Sequence, residues 1–153
     1  MSFETFFLGR EKIKNPLIED MISAGKKISG EGEVAISIRF GNRIVITARN
    51  AFPDSLTESD FVEIADYDAV RNIALVIGMN EPSPSAAVHW LIYRRDDINA
   101  IVSDFRDSTP MKDFDVAMEA LKLLKEKRCA ELSNGRISVG KSVDEAVEGL
   151  KCL

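Results

Sequence analysis

The segment Gly135-Arg136-Ile137-Ser138-Val139-Gly140-Lys141-Ser142 has the spacing G-x-x-x-x-G-K-[ST]. In nucleotide hydrolases that spacing lets backbone amides cradle phosphates, a lysine reach them and a hydroxyl hold Mg²⁺. The chemistry also requires a buried strand before the loop and a helix amino terminus after it. Here the four variable positions Arg-Ile-Ser-Val read as a strand themselves, and the stretch 127–134 is a poor buried strand. Few residues follow Ser142, which leaves the Mg²⁺-binding aspartate expected on a later strand nowhere to stand. A simpler reading fits better. Gly140 and Lys141 turn out of a short strand, Ser142 caps a last helix, and Glu145 completes a capping box.

The other reactive side chains are few. A catalytic zinc usually takes three protein ligands drawn from His, Cys and carboxylates, and this chain has one histidine, His89. It falls on an expected helix beside Val88 and one turn before Tyr93, so a hydrogen-bonded structural role is expected of it. Asp104 and Asp107 alone are too few for a hard-cation cage and read as solvated carboxylates. Cys129 and Cys152 form no disulfide framework and are expected as a buried thiol and a tail thiol in a reducing compartment.

Composition narrows the partners. The formal net charge of −5 argues against nucleic acid, whose binding rests on Lys and Arg neutralising phosphates. No run approaches the roughly 18 apolar residues of a membrane span, and the opening MSFETFFLGREK lacks the apolar core of a signal peptide. A cytoplasmic protein with no membrane partner is expected. At 153 residues with 45% hydrophobic side chains, a single domain over 1–153 with a full core is the simplest organisation.

The positioning elements follow from periodicity. Asn15-Pro16 should open a helix that runs to about Ser29, with Leu17, Ile18, Met21, Ile22 and Ile28 inward. Residues 33–40 alternate, with Val34, Ile36, Ile38 and Phe40 on one side, as in a half-buried strand. Gly41-Asn42 signals a hairpin returning through 43–48. Residues 61–64 read as a short strand and 72–79 as an inner one. Ser83 should cap a helix with Pro84 in its first turn, and a strand over 99–105 follows. Asp113 should cap a helix from Phe114 to about Arg128, and 136–139 forms a short strand. Val143, Ala146, Val147 and Leu150 mark the last helix, while Trp90 and Phe61 are expected in the core. Adjacent hairpin strands with interspersed helices predict an α/β fold with a mixed sheet.

Three segments together resemble the class II aldolase/adducin family of sugar-phosphate aldolases, epimerases and adducin heads. They are Ala35-Ile36-Ser37-Ile38-Arg39 with Ile46-Thr47-Ala48-Arg49-Asn50, then Pro82 to Tyr93 with Asn99 to Phe105, and finally Ser133-Asn134-Gly135 through Glu148. The resemblance implies a three-layer α/β/α sandwich with a largely antiparallel central sheet and a homo-oligomer, a tetramer in relatives. In active members three histidines hold zinc and a glutamate moves the proton. The matching positions here are Ser103, Phe105 and Asn134 for the ligands and Ser85 for the acid/base. His89 matches the family's non-ligand histidine. The phosphate-gripping Gly-Asn and Ser-Gly become Val34-Ala35 and Arg49-Asn50. A serine hydroxyl does not titrate near neutrality and cannot replace the glutamate.

No metal cofactor is therefore expected, and no confident catalytic residue. Thr47, Arg49, Asn50, Ser83, Ser85 and His89 remain as candidate ligand-binding residues, with Arg49 able to hold an anionic metabolite bidentately. The expected function is a non-catalytic, small-anion-binding or interaction subunit. The alternative is a metal-dependent sugar-phosphate aldolase or epimerase with a rebuilt site.

Overall fold

A computed structural model describes residues 3–28, 33–106 and 112–152. One eight-stranded sheet runs through it in the order β1-β5-β4-β3-β2-β6-β8-β7. The strands are β1 (Glu4–Gly9), β2 (Glu33–Phe40), β3 (Arg43–Thr47), β4 (Phe61–Asp68), β5 (Ile73–Ile77), β6 (Ala100–Phe105), β7 (Cys129–Leu132) and β8 (Gly135–Gly140). The helices are α1 (Ile18–Gly25), α2 (Ala86–Ile92), α3 (Asp113–Leu123) and α4 (Val143–Gly149). Among the described residues only the β1–β5 pair is parallel; the other neighbours are antiparallel. The mixed, largely antiparallel α/β sheet expected from the sequence is the one found.

Successive strand residues face opposite sides of a sheet, and the sequence uses both faces. Val34, Ile36, Ile38, Val45 and Val102 pack on Ile18, Met21 and Ala24 of α1 and Val143, Ala146 and Val147 of α4. On the other face Ala35, Ile44, Ile46, Ile101 and Ile137 pack on Val88, Leu91 and Ile92 of α2 and Val116, Ala117 and Ala120 of α3. Helices on both faces make three layers. β2 is consequently not half-buried: Ala35 and Ser37 are as inaccessible as Ile36, and Phe40 at its end is 48% exposed.

Several boundaries differ from expectation for local reasons. Asn15 does not cap α1. Its side chain accepts from the Leu17 amide, closing a turn, and the helix starts at Ile18. α1 ends at Gly25, short of the expected Ser29, because the amides of Lys27 and Ile28 bond three residues back to Ala24 O and Gly25 O in a turn; Ser29 and the glycines after it fall outside the described residues. α3 is shorter than expected, with Asp113 as its first residue and Leu123 as its last. β1 was not expected, because Phe6-Phe7-Leu8 does not alternate; it lies at the sheet edge with Phe6 and Leu8 more than half exposed. β7 forms within the stretch judged a poor strand, since an edge strand needs only one partner, here β8. Trp90 is partly buried rather than fully in the core. Cys129 is disulfide-bonded, not a free thiol; the Cys152 side chain lies outside the described residues.

The G-x-x-x-x-G-K-S string resolves as strand and cap. Arg136 to Val139 pair with β6 on one side, and Arg136 to Ser138 pair with β7 on the other, so this stretch is ladder rather than phosphate loop. The Glu145 amide donates to Ser142 Oγ at 3.2 Å. The carboxylate of Glu145 does not complete a capping box but reaches Arg128 at 3.0 Å. Replacing Ser142 by Ala should cost about 1 kcal/mol of folding stability, measured by urea denaturation. No helix among the described residues is long and apolar enough to cross a membrane.

Candidate functional site

The carboxyl end of β3 and the amino end of α2 are laced together by backbone. The Ser83 amide donates to Thr47 O at 2.9 Å, the Arg49 amide donates to Glu81 O at 2.8 Å, and Ala48 bridges Pro82. The buried Thr47 hydroxyl accepts from the Ile36 amide at 3.2 Å, taking the place of a ladder bond where β2 and β3 part. Asn50 stands in the left-handed region with φ 63°, a conformation that Asn tolerates better than most side chains. Ser83 is fully buried, and its Oγ accepts from the Ser85 amide at 3.1 Å. The helix begins one residue after Ser85, so Ser83 closes the preceding turn instead of capping α2 directly. Arg49 points its guanidinium at Glu81, 3.4 Å away, with both side chains substantially exposed. Exposed pairs of this kind are worth little, so the guanidinium can exchange partners.

Beneath this turn lies a buried polar row. His89 is fully buried, its Nε2 2.7 Å from Ser103 Oγ and its Nδ1 2.7 Å from Ser37 Oγ. Ser37 Oγ is in turn 2.8 Å from the Tyr93 hydroxyl. The Arg39 guanidinium lies over the Tyr93 ring at 4.9 Å and donates to the backbone oxygens of Tyr93, which follows the last residue of α2, and of Arg95 and Ile98 in the loop beyond it. Burial pushes the His89 pKa down from 6.5 to about 3, so the imidazole is neutral at physiological pH. A neutral ring has one N–H and one lone pair. With a serine hydroxyl on each nitrogen, both are used. Burial also pushes the Tyr93 phenol up.

The sequence-assigned positions form a connected group. The His89 amide bonds Ser85 O, and His89 bonds Ser103. Two residues along β6, Phe105 is buried in the core and pairs with Gly135 across the ladder. The Arg106 amide donates to Asn134 O at 2.7 Å, which fixes Asn134 beside the end of β6. Asn134 is buried, and its Nδ2 has no hydrogen-bond partner among the described residues. Asp104 points from the opposite side of β6 towards Arg136, at 3.5 Å. Asp107 lies outside the described residues. The sequence reading missed what Ser37, Tyr93 and Arg39 do. A serine and an arginine amid the apolar residues of β2 were the available signal.

The family model described as Class II Aldolase and Adducin N-terminal domain matches residues 22–102, more than half of the chain. The chain belongs to this family. No curated protein matches at a significant level. Among solved structures, the class II aldolase-like chain is similar to L-fuculose 1-phosphate aldolase, with TM-score 0.70, 17% identity and 92% and 84% of the two chains covered. It is also similar to the L-fuculose-1-phosphate aldolase of Thermus thermophilus, with TM-score 0.64, 16% identity and 88% and 87% covered. YgbL of Klebsiella pneumoniae superposes with TM-score 0.68, 14% identity and 88% and 83% covered. These likenesses carry the class II aldolase fold.

The zinc that the class II aldolase family implies can be tested against the residues present. Its three ligand positions hold a serine whose hydroxyl is committed to His89, a buried phenyl ring and a carboxamide. Among the described residues no three His, Cys, Asp or Glu side chains gather as a metal site. These residues do not fit a three-ligand zinc centre.

Proposed function

We propose that this class II aldolase-like protein is a non-catalytic, small-anion-binding or interaction subunit. The observation that carries the reading is the closed Ser103–His89–Ser37 row. At a position where catalysis would need an open ligand, the chain places a hydroxyl sealed into a fully buried hydrogen-bond network. The likeness to aldolases of L-fuculose 1-phosphate supports a phosphorylated metabolite as the ligand class. The residues that would meet its phosphate are Arg49, freed from Glu81, and the Thr47–Asn50 turn against Ser83. Assembly into a homo-oligomer, a tetramer by family resemblance, belongs to the same proposal.

Protein purified from zinc-supplemented cells should carry far less than one zinc per chain and leave L-fuculose 1-phosphate uncleaved. A sugar phosphate should raise the melting temperature, because a ligand that binds only the folded state stabilises it. That rise should shrink in Arg49→Ala. Near-stoichiometric zinc, with a retro-aldol activity abolished by chelation, would overturn the reading in favour of an aldolase or epimerase with a rebuilt site.

A further inference from the structure

At the hairpin end of β2 and β3 a cleft of about 240 Å³ is lined by Arg39, Gly41, Asn42, Arg43, Ile44, Trp90, Tyr93 and Arg94. It lies away from the Thr47–Ser83 turn, because β2 and β3 carry the two sites at opposite ends. Three of its eight lining residues are arginines and none is acidic. Their charges are unequally compensated. Arg43 is paired with Glu63 at 2.6 Å. Arg39 donates its Nε and Nη2 to backbone carbonyls and has no carboxylate partner among the described residues. Arg94 is exposed, and no carboxylate of the described residues lies within ion-pair distance of it.

A carbonyl oxygen satisfies the hydrogens of a guanidinium without cancelling its charge, so the cleft keeps a positive field in a chain of net charge −5. Its other wall is apolar and flat. Ile44 is buried and Trp90 is only partly so, leaving indole surface beside the guanidinium groups. Gly41 in the left-handed region at φ 62° keeps the tight turn free of a side chain at the rim. Nothing lies within 4 Å of where its Cβ would stand, so the mouth of the cleft is open.

We propose that this cleft is a second binding site, for a small oxyanion that carries a flat apolar group. Arg94 and Arg39 meet the phosphate or carboxylate, and Trp90 and Ile44 meet the flat group. The volume sits below the range of roughly 300–1,000 Å³ usual for drug-sized ligands, which favours a single ring with one charged substituent. The exposed Arg94 guanidinium suits planar bidentate contact with such an oxyanion, while Arg39, its Nε and Nη2 committed to carbonyls, offers its Nη1. The proposal does not rest on the reading of the Thr47–Ser83 turn and survives its failure.

Trp90 is the only tryptophan of the chain, so its fluorescence reports on the cleft directly. Phenyl phosphate should change Trp90 emission saturably, with a dissociation constant of about 1 mM or tighter. Inorganic phosphate and benzyl alcohol, each supplying half of the recognition, should bind at least about tenfold more weakly. Arg94→Glu, an exposed substitution that leaves the core untouched, should weaken phenyl phosphate by about tenfold or more with an unchanged melting temperature. Arg49→Ala should leave this binding unaltered. The proposal fails if the Trp90 signal does not saturate with phenyl phosphate. It fails equally if Arg94→Glu binds as tightly as the parent, or if benzyl alcohol matches phenyl phosphate.

Discussion

Between pH 7 and pH 5 the protein is expected to lose roughly 2 kcal/mol of stability through one imidazole. His89 in the unfolded chain takes up its proton near 6.5, whereas burial holds it back to about 3 in the folded protein. Across that interval the unfolded state binds more protons, so stability falls as the pH falls. The contribution is complete above 6.5 and is lost progressively towards 3. Most carboxylates titrate below pH 5, which leaves this range to the histidine, with one opposing group. Burial raises the Asp113 carboxyl, so its protonation favours the folded state as the pH drops.

Urea midpoints at half-unit intervals of pH would measure the slope. In His89→Gln the slope between pH 6.5 and 5 should flatten by close to one proton, even though the variant is less stable at pH 7. An unchanged slope would mean that His89 is protonated in the folded protein, and the sealed row would have to be abandoned.

The second large effect is expected from Gly135→Ala, with a loss of at least about 3 kcal/mol or failure to accumulate folded protein. Gly135 has φ 148°, a backbone conformation that L side chains avoid. A Cβ there would collide with the carbonyl oxygen of Asp104 and come within 2.9 Å of Phe105 Cα. Both obstacles are backbone in the next strand and cannot swing away. The close approach holds Asn134 against the end of β6, and relaxing it would pull β8 from its register with Ser103 and Phe105. Chemical denaturation beside Gly41→Ala, whose Cβ would meet nothing within 4 Å, separates collision from backbone strain, since Gly41 also has positive φ.

The central hairpin and the inward faces of α2 and α4 could be read from the chain because apolar spacing and the Gly41-Asn42 turn agree with the final packing. β1 and β7 could not. One pairs in parallel with residues about seventy positions on and packs Phe7 on the core, and the other makes a four-residue pairing within a charged stretch. The candidate site shows the same division. That Ser85, Ser103, Phe105 and Asn134 stand where chemistry would be expected came from family resemblance. The partners of His89 could not be read at all. Ser37 lies 52 residues away from it and Ser103 14 residues away, so their meeting depends on how β2, β6 and α2 pack across layers.

The row from Ser103 through His89 and Ser37 to Tyr93 can be wired in two directions at the imidazole. The ring carries one hydrogen, so one of its nitrogens donates and the other accepts. When Nδ1 accepts from Ser37, Ser37 has spent its hydrogen and receives from Tyr93, whereas when Nδ1 donates, Ser37 can either donate to Tyr93 or accept from it as well. Reversing either link to the imidazole obliges the ring to change tautomer and the other link to reverse with it. The cleft beside Trp90, which Tyr93 lines, and Ser103 on β6 thus lie at the two ends of one string of dipoles, and whether Ser37 gives its hydrogen to the imidazole or takes one from it decides whether Ser103 receives or gives.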